Sequence, residues 1–201
     1  MSGRRMEAFS DGVIAILITI MVLDLHRPSG PHFSDLGSAY PSLLAYVLSF
    51  VYLGVYWNNH HHLLMTVRTV NGAMLWANLS LLFSLSLFPF ATSWMTETGF
   101  ATDTVASYAI VLAIAGAAYT LLQSVIVRSH GTDLRLKNAL GRDRKGRMSF
   151  VAYLAAIPLA FAFRWLSIAI FIAVAVTWFI PDRRIEIYVA STAGDSVQSA
   201  E

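Results

Sequence analysis

Six apolar stretches separated by short polar breaks dominate the chain, and each is long enough to be weighed against a bilayer core of about 30 Å. They run over roughly 5–26, 39–64, 72–96, 104–127, 148–163 and 165–181. Inside lipid every backbone polar group must be satisfied within the structure, so stretches of this kind fold as helices. The breaks fall at Pro28-Ser29-Gly30-Pro31, from Arg68 to Gly72, from Glu97 to Asp103, and over a long polar stretch from Arg128 to Arg147. Charged residues make up only 13% of the chain against 56% hydrophobic, and a water-soluble domain carries about a quarter charged. There is too little polar surface to wrap a water-exposed body. Intrinsic disorder is excluded by the same balance. The absence of cysteine excludes a disulfide scaffold, a thiolate metal site and a cysteine nucleophile. The expected fold class is an all-α polytopic membrane protein, with a membrane body over 1–184 and a polar cytoplasmic tail over 185–201.

The last two stretches are short and meet at Arg164, so hydropathy alone allows either a tight helical hairpin or one over-long helix. Charge placement separates the two. With six helices and a cytoplasmic N-terminus, the inner segments hold Arg4, Arg5, Arg68, Arg183, Arg184 and all seven basic residues between Arg128 and Arg147. Only Arg27 and Arg164 lie outside, whereas a merged last helix would export Arg183 and Arg184. The positive-inside rule therefore favours six helices with both ends in the cytoplasm. The net charge of +2 then reflects topology and calls for no nucleic-acid partner, although a basic inner loop is suited to anionic lipid headgroups. Arg4 and Arg5 before an apolar run also invite a signal-peptide reading, but no small-x-small cleavage site follows Leu25, so the first helix is expected to stay.

That first helix is unusual. A short apolar run from Val13 to Leu23 is flanked by Ser10 and Asp11 at one end and Asp24 at the other. A carboxylate this near the membrane is costly facing lipid and should face protein or a water-filled cavity. At about 100° per residue, and with Ile16 as zero, Ile20 falls near +40°, Leu23 near −20°, Thr19 near −60° and Gly12 near −40°. Asp11 falls near −140° and Ser10 near +120°, on the other side. If the stripe through Ile16 lines a conduit, Asp11 anchors the helix to its neighbours instead. On periodicity alone, ordinary helix packing is the better explanation of such a stripe.

Arg5-Met6-Glu7-Ala8-Phe9-Ser10-Asp11-Gly12 resembles the opening of the first helix in the bacterial relatives of the lysosomal potassium channel called transmembrane protein 175, where Arg-x-x-x-Phe-Ser-Asp precedes an apolar run. Tyr56-Trp57-Asn58-Asn59-His60-His61 is similar to that family's Trp-x-x-His stretch on the second helix. Asn78 followed by Phe88-Pro89-Phe90 resembles its third helix. The resemblance implies six helices per chain, assembled as a homotetramer around the first helix in a bacterial plasma membrane, with potassium as the permeating ion and no cofactor. It implies a pore constricted by the apolar side chains of Ile16, Ile20 and Leu23, with Thr19 as a hydroxyl layer. It further implies that Arg5, Phe9, Ser10, Asp11, Trp57, His60 and Asn78 form a polar network that orients the pore helix. The family lacks the carbonyl filter of ordinary potassium channels, and no Thr-Val-Gly-Tyr-Gly loop occurs here.

The remaining polar features are plainer. His60, His61 and His62 are consecutive, about 100° apart on a helix, and do not converge on one ion, since helical metal sites use spacings of three or four. Ser80, Ser84 and Ser86, with Asn78, read as interhelical glue. Pro89 and Pro158 are expected to kink their helices, and Arg164 to snorkel at a hairpin turn. No Gly-x-Ser-x-Gly, His-Glu-x-x-His or phosphate-binding glycine loop is present, which argues against an enzyme. The expected function is a potassium-permeable cation channel with modest preference over sodium. The alternative is a proton-coupled secondary transporter that uses Asp11 and His60 as a relay.

Overall fold

The computed structural model describes residues 3–25, 27–28, 30–67, 69–129 and 143–179. Arg68, the basic positions within 130–142, Arg183, Arg184 and the tail over 185–201 lie outside the described residues. Helix α1 spans Gly3–Ile20 and tightens into a 3-10 turn over Met21–Asp24. A second 3-10 turn, Phe33–Ser38, leads into α2, Tyr40–Met65. Helices α3 (Gly72–Ser86) and α4 (Phe88–Glu97) form one nearly continuous span, followed by α5 (Thr102–Ser129) and α6 (Arg144–Trp178). The third span breaks at Leu87 because Pro89, the second residue of α4, has no N–H to continue the ladder.

The last element is two antiparallel arms. Phe163 leaves helical geometry with φ −157° and ψ 89°. Ser167 Oγ donates to the Ala156 carbonyl at 2.8 Å, and Trp178 Nε1 donates to Ser149 Oγ at 2.9 Å. In a straight helix residues 156 and 167 would stand about 16 Å apart. The chain therefore reverses at Phe163, one residue before Arg164, whose guanidinium sits 5.5 Å from the centre of the Trp165 ring. The hairpin expected from the charge distribution is present. Pro158 lies within the first arm, and Phe163 is where the helical dihedrals fail.

The arms of α6 pack most extensively against α5, which also lies along α3 and α4. Between them sits a buried aromatic centre of Tyr52, Phe88, Tyr108 and Phe171, with neighbouring ring centroids 5.3 to 6.2 Å apart. Its hydroxyls are satisfied across helices: Tyr52 donates to the Phe171 carbonyl at 2.7 Å. Thr92 donates to the Phe88 carbonyl at 2.7 Å, so Ser49 must donate to Thr92 (2.7 Å) and accept from Tyr108 (2.8 Å). This run from α5 through α2 to α4 is the interhelical glue. Ser80, Ser84 and Ser86, expected in that role, bond instead to the Trp76, Ser80 and Phe83 carbonyls of their own helix. With apolar surroundings, a hydroxyl takes the nearest carbonyl one turn back.

Two local devices set the ends. Asn71 caps α3 by accepting from the Met74 N–H at 2.9 Å, and its amide donates to Ser129 Oγ at 2.9 Å, which ties the start of α3 to the end of α5. Gly3 seats the start of α1 on the chain just beyond α2, where a Cβ would run into the Val67 carbonyl.

Candidate functional site

Helix α1 packs against α2 and α3 through Gly3, Met6, Ser10, Ile14 and Leu17, and the turn that follows adds Met21, all buried. On the 100° wheel these fall between about +80° and +160°. The stripe through Ile16 faces away from them. Ile16 is 58% exposed, Ile20 44% and Leu23 78% in the single chain, and Thr19 is exposed beside them. The α-helix was expected to continue to 26 but ends at Ile20. Because the following turn is 3-10, with three residues per turn, Leu23 stacks directly over Ile20 and stays on the same face. Thr19 Oγ1 donates back to the Ala15 and Ile16 carbonyls, each at 3.0 Å. Its proton is spent on the helix, so it offers outward only oxygen lone pairs, the polarity that suits a cation or the oxygen-bound shell around it.

The anchored side holds two separate arrangements. Asp11 Oδ1 accepts from the Trp57 indole at 3.0 Å. One turn earlier, Glu7 Oε1 pairs with His61 Nδ1 at 2.8 Å, and His61 stacks on Trp57 with centroids 6.0 Å apart. Glu7 and Asp11 are four apart on α1, Trp57 and His61 four apart on α2, and the helices run antiparallel, so the pairs form successive rungs. Deeper in, Ser10 Oγ donates to the Met6 carbonyl at 2.8 Å and accepts from Asn78 Nδ2 at 2.9 Å. Asn78 therefore turns its Oδ1 toward His60 Nε2, at 2.7 Å, and that nitrogen must carry the proton. A one-way chain runs from His60 on α2 through Asn78 on α3 to Ser10 and the backbone of α1. All three side chains are buried, and His60 Nδ1 has no partner among the described residues.

The structure thus brings together Ser10, Asp11, Trp57, His60 and Asn78, in two groups rather than one. Asp11 is held by Trp57 alone among the donors expected for it. Arg5 and Phe9 stand apart: Arg5 makes no hydrogen bond or ion pair with a described residue, and both are exposed. The wheel explains why, since Arg5 falls near −20° and Phe9 near +20°, on the stripe of Ile16 and away from Asp11. The Glu7–His61 rung was not expected. Its signal was present in the fourfold spacings from Asp11 and Trp57. The three consecutive histidines diverge: His60 to Asn78, His61 to Glu7, and His62 to the Asn58 carbonyl at 3.2 Å.

Among the described residues five helical elements are long and apolar enough to cross a membrane, and the last of them is a hairpin, so this is a multi-pass helical membrane protein with an anchored first helix. The profile of the family described as endosomal/lysosomal potassium channel TMEM175 matches residues 5–89. A potassium channel of Chryseobacterium sp. (strain P1-3) is 48% identical over 186 residues, which cover 92% of this chain and 97% of that one. The chain belongs to the TMEM175 family, a family of ion channels and not of enzymes. The crystal structure of a lysosomal potassium-selective channel TMEM175 homolog from Chamaesiphon minutus superposes with a TM-score of 0.75 at 29% identity, over 90% of this chain and 97% of that one. The human endosomal/lysosomal proton channel TMEM175 is 40% identical over 86 residues, 37% of this chain and 17% of the human one.

Proposed function

We propose that this chain forms a homotetrameric, potassium-permeable channel in a bacterial plasma membrane, with both termini cytoplasmic and α1 lining the pore. The observation that carries the reading is the division of α1 into two faces. One is tied to α3 by a buried hydrogen bond and to α2 by a partly exposed one, and the other leaves Ile16, Thr19, Ile20 and Leu23 uncovered. The names of the Chryseobacterium and Chamaesiphon relatives support potassium as the ion.

Four copies of Ile16 around an axis make a ring too apolar to replace an ion's hydration shell. When narrow, such a ring dewets and blocks, and when wider it passes partly hydrated ions. Potassium gives up water more easily than sodium, so its barrier is lower, and the Thr19 oxygens add an inward-facing polar layer. Ser10, Asp11, Trp57, His60 and Asn78 set the rotation of α1 and hence which residues face the axis. The proton-coupled carrier reading is not favoured: His60 is sealed from solvent and bonded to Asn78, with no hydrogen bond to Asp11.

The test is cation flux into liposomes holding the purified protein, comparing potassium, sodium and protons under set gradients. Downhill, uncoupled flux favouring potassium, altered by Ile16→Ala, is the expected result. Flux that saturates and requires a proton gradient would overturn the channel reading.

A further inference from the structure

The beginning of α2, the end of α4 and the second arm of α6 enclose a groove of about 1050 Å³, at or above the upper size of ordinary ligand pockets. Its body is apolar, with Leu48, Val51, Phe171 and Ile172 among its walls. No residue of α1 lines it, so it lies away from the stripe of Ile16. Tyr40 and Trp165 line it where α2 begins and the α6 hairpin turns, the ring types that mark the level of lipid headgroups. Arg27 and Glu97 also line it, and they are the only charged residues among its described walls. They are not paired with each other, and Glu97 Oε1 accepts from Ser93 Oγ at 2.8 Å, which leaves its second oxygen available.

A groove that opens among membrane helices is filled by something apolar, and the two charges say what heads it. A guanidinium binds a phosphate, and a carboxylate accepts from N–H donors. We propose that this groove is a binding site for one phospholipid with an ethanolamine headgroup. The acyl chains lie along α2 and the second arm of α6, the phosphate meets Arg27, and the primary ammonium donates to Glu97. A choline headgroup has no N–H to donate, and a glycerol headgroup leaves a net negative charge facing Glu97. Both bind less well.

The experiment is native mass spectrometry of the delipidated full-length protein in its own oligomeric state, titrated with dioleoyl phosphatidylethanolamine, phosphatidylcholine or phosphatidylglycerol. One phosphatidylethanolamine per chain is expected, held about tenfold more tightly than either of the others. Glu97→Gln should erase the preference for ethanolamine over choline. Arg27→Gln should weaken all three lipids by about tenfold. Leu48→Trp, which places a bulky ring in the path of the acyl chains, should weaken the retained lipid. Equal binding of the three lipids to the wild type would mean ordinary boundary lipid and overturn the site, as would retention of phosphatidylethanolamine by Leu48→Trp at wild-type affinity. A Leu48→Trp protein that loses its oligomeric state while binding lipid as before would place a neighbouring copy in the groove and overturn it too. Glu97 and Arg27 are exposed, so their variants carry the test if Leu48→Trp does not fold.

Discussion

Trp57 donates to Asp11 at 3.0 Å from α2, while Asn78 donates to the adjacent Ser10 at 2.9 Å from α3. Two consecutive residues of α1 are thus held from two different helices. Replacing Trp57 by Phe keeps an aromatic side chain, though a smaller one, and removes the donor. Because the pair is partly exposed, the cost should be modest, about 1 kcal/mol, or a fall of about 2–4 °C in melting temperature. Asp11→Ala should weaken assembly more than it changes ion preference, read by size-exclusion chromatography after a heat step together with flux ratios. An intact oligomer with altered ion preference would contradict this.

Asn78 is the middle of the buried chain, so its loss strands both ends. In Asn78→Leu the His60 Nε2–H and the Ser10 hydroxyl oxygen both lose their partner in an apolar setting, at a cost of about 2–4 kcal/mol. Ser10→Ala strands only one Asn78 N–H and should cost about 1 kcal/mol. Unfolding in a denaturing detergent should rank Asn78→Leu well below Ser10→Ala, and the reverse order would show that the anchor lies elsewhere.

Thr19 can be tested without changing its shape. Thr19→Val keeps the volume and removes the outward lone pairs, and Thr19→Ser keeps the oxygen. The preference for potassium over sodium should fall by about fivefold in the valine variant and survive in the serine variant. Equal ratios in all three proteins would remove Thr19 from the conduction path. Ile16→Ala should raise the passage of larger cations in the same assay, and an unchanged permeability series would take Ile16 out of the constriction.

The α6 hairpin makes a purely geometric prediction. The chain has no cysteine, so Ala156→Cys with Ser167→Cys introduces the only two thiols. Both positions are fully buried, so membrane-permeable copper-phenanthroline should oxidise them to a disulfide within one chain, whereas a straight helix would hold them ~16 Å apart, beyond disulfide reach. Two thiols that stay reduced and both take a label after denaturation would mean that the helix runs straight.

The long apolar helices were legible in the sequence to within a few residues, because hydropathy over some twenty residues is a summed signal that local packing hardly disturbs. The reversal near Arg164 was legible through charge, since a merged helix would strand Arg183 and Arg184 on the wrong side. The anchor was legible only as a set of residues. Which partner each takes depends on how α2 and α3 are rotated against α1, and no one-dimensional pattern records that. Asp11 goes to Trp57, Ser10 to Asn78, and Arg5 to neither. Helical angles alone would have moved Arg5 and Phe9 to the exposed stripe and put Glu7 beside His61. The groove lined by Arg27 and Glu97 is assembled from three distant parts of the chain, so its charges carry no local signature.

Turning α1 about its own axis by a single residue step, about 100°, would carry Glu7 from His61, Asp11 from Trp57 and Ser10 from Asn78 at once. Those bonds are made to two helices at different depths, so no small twist can relieve one without straining the others. This bonding favours movement of the first three helices as one unit. In the proposed channel, changes in the width of the passage are then left to tilting of such units against each other, or to rotamer changes in side chains such as Ile16. In such a mechanism the spacing between Ser10 and Asn78 stays constant while the distance between copies of Ile16 changes.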